Sequence, residues 1–182
     1  MKRVLIVLLA LAVALGSVAP AAAETTLEKI GRTGTLTIGT RTGSPPFAYV
    51  NKQNEWVGFS IDLVEQLILP AVSNKVGKPV KLEKKESTPA TRIPLLSSGA
   101  VDLIAETMTD TRPRRDSVDF SLTFFVTGAQ FLVKKGSPIK GIQDIGGKRV
   151  GAQQGSTNAR IIRERVANVQ LREFPDQPSG FQ

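Results

Sequence analysis

Between Glu106 and Ser121 the chain reads Glu-Thr-Met-Thr-Asp-Thr-Arg-Pro-Arg-Arg-Asp-Ser-Val-Asp-Phe-Ser, directly after the apolar run Val101–Ala105. Thr107, Thr109 and Arg114 stand close together in this stretch. A strand that delivers hydroxyls at its carboxyl end, with a guanidinium soon after, suits a carboxylate ligand. Arginine offers a planar fork of donors that pairs both carboxylate oxygens, and neighbouring hydroxyls complete the shell. The ligand expected here is a small anion or zwitterion. Two further arginines qualify by position. Arg41 follows the alternating segment Leu36–Thr40, and Arg92 opens an apolar stretch that ends at Gly99. Taken singly, Arg41 reads as an exposed turn arginine and Arg92 as a charge at a helix start, since arginine is mostly exposed. Glu106 adjoins Thr107 and is the one residue here suited to acting as a general acid, were the chain an enzyme. The plainer reading of Glu106, which we prefer, is a strand-end glutamate paired with an arginine.

Composition removes several other chemistries. Histidine and cysteine are both absent. That excludes imidazole bases, thiol nucleophiles, disulfides and the commonest transition-metal ligands, so neither a cofactor nor a metal is expected. The net charge is +8, with 24 Lys and Arg against 16 acids. The charges are scattered and aromatics make up 5% of the chain, a poor pattern for nucleic acid.

The elements that must position these residues follow from periodicity. Leu36–Thr40 alternates as a strand does and runs into the Gly/Pro-rich turn Gly43-Ser44-Pro45-Pro46. Phe59–Leu69 has helical spacing, with Pro70 expected to end or kink it. Val80–Glu83 and Leu103–Glu106 read as strands, and Arg92–Ser98 as a short helix with Pro94 in its first turn and Gly99 past its end. From Ala129 a second unit is expected. It comprises a strand at Gln130–Lys134, another at Lys148–Ala152, a helix at Asn158–Val166 and a last strand at Gln170–Phe174. Alternating strands and helices predict a mostly parallel α/β sheet, and such sheets bind ligands outside the carboxyl ends of their strands. Gly155-Ser156-Thr157 precedes the second unit's helix, where outward-facing backbone N–H groups make a small anion site, an ordinary helix cap being the simpler role for Ser156 and Thr157 taken alone.

The N-terminus is expected to lie outside the fold. Lys2-Arg3, the apolar run Val4–Leu15 and Ala21-Ala22-Ala23 have the layout of a cleaved secretory signal over residues 1–23. The expected products are 24–128 as a first lobe and 129–182 as a second, in an exported, periplasmic protein.

Taken in order, Gly39-Thr40-Arg41…Pro46-Phe47, Gly58-Phe59-Ser60-Ile61-Asp62-Leu63, Arg92-Ile93-Pro94-Leu95-Leu96, Gly99-x-Val101-Asp102, Thr109-x4-Arg114, Val118-Asp119-Phe120-Ser121 and Gly155-Ser156-Thr157 are similar to a known set. They resemble the solute-binding proteins of polar amino acid ABC importers, over roughly Thr26 to Phe181. The opening Thr26-Leu27-Glu28-Lys29-Ile30 and Gly58-Phe59-Ser60 are most like the glutamate/aspartate-binding branch. The resemblance implies an α/β, two-lobed periplasmic-binding-protein type II fold and no catalysis. It also implies a monomer that hands an amino acid to an ABC transporter permease. By resemblance Arg114 holds the ligand's α-carboxylate with Thr109 and Thr157, and Thr107 lies near the ligand. Arg41 and Arg92 face an acidic side chain, and Gln177 falls near a branch histidine. Pro89 replaces a ligand-touching serine. Ser44 stands where branches for basic or amide ligands carry a stacking aromatic, which favours glutamate or aspartate. An exported dehydratase acting on prephenate-like acids is the alternative on the same fold, with Glu106 as its acid. The chain stops at Ser179-Gly180-Phe181-Gln182 without the family's return crossing, so a C-terminally truncated second lobe is expected.

Overall fold

The computed structural model describes residues 23–181, and the expected signal peptide lies almost wholly outside them. Helix α1 (Thr26–Thr33) opens the fold with a capping box, in which Thr25 and Glu28 satisfy each other's backbone N–H groups. Strand β1 (Thr35–Thr40) follows directly, and its burial deepens toward its carboxyl end. It is the central strand of a parallel sheet in the order β5–β1–β6, where β5 is Lys81–Glu86 and β6 is Leu103–Ile104. Gly39 lets β6 come close, because a Cβ there would stand 2.6 Å from Ile104 Cδ1. Ile30, Leu36, Ile38, Ala48, Ile61, Val64, Val80 and Ala105 form the main core under this sheet. Asp102 ties its edge: Lys29 Nζ donates to one carboxylate oxygen at 2.8 Å and the Thr37 N–H to the other at 2.9 Å.

Two expectations about the first lobe need correction. The turn after β1 is a small antiparallel sheet of β2 (Gly43–Ser44), β3 (Ala48–Val50) and β4 (Trp56–Val57). Pro70 does not end the following helix. Helix α2 (Phe59–Leu63) passes through a π turn (Val64–Ile68) into α3 (Leu69–Val76), which Gly77 closes at φ 74°. Proline lacks the N–H and crowds the carbonyl one turn back. The wide π turn lies just before Pro70, where that crowding would fall, and the helix continues. The short helix α4 (Arg92–Ser97) is placed as expected, with Gly99 at φ 70° beyond its cap.

Helix α5 (Arg112–Arg115) carries Arg114 on a single turn begun by Thr111. Beyond it the expected strand at Gln130–Lys134 is absent: residues 119–134 carry no regular structure, and Leu122 and Leu132 are 93% and 82% exposed. Strand propensity becomes a strand only with a partner, and no described strand pairs with this segment. Phe124 and Phe125 pack instead against Phe59 and Phe47 of the first lobe. The second lobe consists of β7 (Arg149–Gln153) paired in parallel with β8 (Gln170–Phe174), helix α6 (Thr157–Arg165) and the short α7 (Gln177–Gly180). Its buried apolar residues are Ile145, Ala159 and Ile162. Among the described residues no helix is long and apolar enough to cross a membrane.

Candidate functional site

The strand order brings three chain segments to one edge. Thr40 ends β1, its carbonyl accepts from the Ser87 N–H just past β5, and its hydroxyl donates to the Ala105 carbonyl just past β6. Arg41 and Glu106 are the next residues on two of these segments, and Arg92 opens the helix after the third. All three are buried, at 8%, 4% and 3% exposure, which overturns the exposed-turn reading of Arg41, while Arg92 does start its helix but is buried there.

Glu106 lies between the two guanidiniums. Its Oε1 is 3.3 Å from Arg92 Nη1, and its Oε2 is 3.5 Å from Arg41 Nε. Arg92 Nη1 also donates to the Thr107 carbonyl at 3.0 Å, and Arg41 Nη1 to the Thr107 hydroxyl at 3.4 Å. Glu106 is thus the paired strand-end glutamate that its position suggested, with two partners in place of one. Burial pushes its carboxyl above the usual carboxylate range, although both arginines oppose the shift. Burial likewise lowers the pKa of both arginines, against the pull of Glu106.

Arg114 is held differently. Its Nη1 donates to the Thr109 carbonyl at 2.7 Å and its Nη2 to the Gly155 carbonyl of the second lobe at 3.3 Å. Both partners are neutral. Partial burial, with Arg92 and Arg160 nearby, brings its pKa down to about 10, so it stays charged at neutral pH. Thr157 is the first residue of α6, two positions past Gly155, while Ser156 is the helix cap, its hydroxyl accepting from the Ala159 N–H at 3.1 Å.

The second lobe reaches the cluster through a residue that sequence reasoning did not single out. Gln153, the last residue of β7, accepts from Arg41 Nη2 and donates to the Pro175 carbonyl at 3.1 Å. Gln153, Asp176 and Gln177 face Arg41 and Thr88 across a narrow cleft. Gly155 closes another part of the boundary. It has φ 70°, and a Cβ there would lie 2.8 Å from Ala90 Cα and 2.9 Å from the Pro89 carbonyl oxygen. Ser44 is buried in the β2–β3 pair and is not among the residues lining this cleft. The larger concavity, lined by Phe59, Asp62, Leu63, Gln66 and Leu67, carries no cationic side chain. Among the described residues no cluster of three or more acids suits a metal.

Residues 36–175 match the family model of bacterial extracellular solute-binding proteins, family 3. The chain belongs to that family. This family 3 protein is 37% identical over 158 residues to the ABC transporter glutamine-binding protein GlnH of Bacillus subtilis, covering 86% of this chain and 56% of that one. Identity is also 37%, over 142 residues, to a glutamate/aspartate import solute-binding protein of Salmonella typhimurium, covering 78% of this chain and 47% of that one. An ancestral arginine-binding protein bound to glutamine superposes with a TM-score of 0.73 at 38% identity, covering 82% of this chain and 64% of that one. The family 3 protein thus spans about half the length of these curated relatives and has the two-lobed α/β architecture of amino-acid-binding proteins.

Proposed function

We propose that the protein is the exported, periplasmic receptor of an ABC importer, a monomer that closes two lobes, 24–128 and 129–182, over one polar amino acid and presents it to a membrane permease. Arg114 takes the α-carboxylate. The observation that carries this is its half-buried, charged guanidinium, whose hydrogen bonds among the described residues go to the neutral carbonyls of Thr109 and Gly155. A ligand carboxylate is the counter-charge this position lacks. Thr109, whose carbonyl accepts from Arg114, and Thr157 assist it, Thr107 accepts from Arg41, Gln177 lines the cleft beside Arg41, and closure about the connection near Phe125–Gly128 brings Thr157 over the ligand.

The side-chain end supports glutamate or aspartate first. Arg41 and Arg92 together carry two positive charges against Glu106, the one carboxylate within ion-pair distance of them among the described residues, while Asp176 faces Arg41 from farther off. A ligand carboxylate balances the remainder. Glutamine is the second reading, favoured by Glu106 already holding both guanidiniums. The same arrangement disfavours the dehydratase alternative, because the one candidate acid is locked between two cations and buried.

Isothermal titration of the protein against the twenty amino acids tests the reading. Glutamate, aspartate or glutamine should bind most tightly. Preferential binding of lysine, arginine or an aliphatic amino acid would overturn it, as would turnover of prephenate or arogenate.

A further inference from the structure

Glu106 has no obvious reason to be where it is if Arg41 and Arg92 exist only to meet an acidic ligand. A carboxylate buried between them competes for the same donors and repels any second carboxylate brought close. Two polar atoms in the cluster are also left without hydrogen-bond partners among the described residues: Glu106 Oε2, an acceptor, and Arg92 Nε, a donor. Both are buried, and an unsatisfied buried polar group is a cost that a bound partner can remove. Oε2 has the Arg41 Nε at 3.5 Å, and a neutral primary amide placed near this pair brings no further negative charge. A carboxylate carries acceptors only, and meets Oε2 as a like charge.

We propose that Glu106 is a built-in counter-carboxylate that sets the side-chain charge the cleft accepts, so that the receptor takes the amide side chain of glutamine alongside the carboxylate of glutamate. This rests on the receptor reading above, with Arg114 as the anchor common to both ligands. In the absence of Glu106, a neutral side chain would be buried against two uncompensated guanidiniums. With it, one positive charge is matched internally, and the remainder stays partly engaged by Thr107 and by Gln153 of the second lobe. Glu106, whose side chain is buried behind the cleft, acts on the ligand through its charge and by holding the two arginines, so it is a specificity-determining residue.

The test is isothermal titration of glutamate and glutamine into the wild-type protein, Glu106→Gln and Glu106→Asp, with a thermal melt of each. In the wild type the two affinities should lie within about tenfold of each other. Glu106→Gln should shift the ratio toward glutamate by at least about tenfold, since it removes the repelling charge and frees both guanidiniums. Glu106→Asp, which keeps the charge, should hold the wild-type ratio. A wild type that prefers glutamate by more than about tenfold overturns the proposal, and so does a folded Glu106→Gln with an unchanged ratio. If Glu106→Gln does not fold, the wild-type and Glu106→Asp ratios decide the matter alone. Binding of neither ligand by the wild type, or undiminished binding by Arg114→Ala, sinks the receptor reading itself and is thereby told apart.

Discussion

Arg92 and Arg114 lie near enough to repel each other and are bound in opposite ways. Arg92 is buried against a carboxylate that the chain supplies, at the end of a sheet above the largest core in the molecule. Arg114 rides on a single helical turn, half-buried, with only backbone carbonyls for company. A guanidinium with an internal counter-ion is part of the architecture before any ligand arrives. One engaged by neutral dipoles keeps its charge unspent. Arginine at a strand end therefore does not by itself mark a ligand contact: what it already touches decides.

The sharpest way to break that contrast is to remove each arginine and compare stability with affinity. Arg92→Ala leaves the buried Glu106 carboxylate with Arg41 alone and should cost about 1.5–3 kcal/mol of folding free energy, the worth of a charged hydrogen bond, read as a drop in melting temperature or in urea midpoint. An unchanged melt would mean that Glu106 finds water or another partner, and the architectural role would fall. Arg114→Ala should leave the melt near wild type yet cost about 2–5 kcal/mol in binding of any amino acid ligand, roughly 30-fold or more in affinity. Retained affinity would move the anchor elsewhere.

Arg41 is the intermediate case, since it pairs with Glu106 but also reaches Gln153 of the second lobe. Arg41→Ala should lower glutamate affinity by about 1.5–3 kcal/mol, the worth of a charged hydrogen bond, and glutamine affinity by less. Equal losses for the two ligands would assign Arg41 to closure rather than to side-chain charge. The smallest effect is expected at Gly155. Alanine there is strained at φ 70° and meets Ala90, so Gly155→Ala should weaken all ligands alike by about 1 kcal/mol. Loss for one ligand only would place Gly155 in recognition.

What the sequence foretold follows the range of the interactions involved. Strand β1, helix α4 and the β7–α6–β8 succession were legible, because periodicity and caps are local signals. The π turn was not, since Pro70 reads as a breaker until the turn before it is seen to widen. Nor could the Gln130–Lys134 segment be judged, because its alternation is strand-like while pairing depends on a partner elsewhere in the chain. In the site, strand-end logic found Arg41, Arg92 and Thr107, and Glu106 was expected to pair with an arginine. That it takes both at once depends on the order β5–β1–β6, which no local pattern encodes. Gln153 was missed for want of applying the same rule twice: it ends β7 just as Thr40 ends β1. Ser44 lies buried in a hairpin that the Gly/Pro turn concealed.

The meeting of Gly155 with the Pro89–Ala90 main chain has a practical consequence. Because no side chain intervenes there, the cover over the amide of Ala90, an otherwise exposed residue, varies with the distance between the two backbones. Deuterium uptake at that amide is then a label-free gauge of how often the jaws part. A mass spectrometer could follow it peptide by peptide, with and without an amino acid, on protein carrying no dye and no mutation.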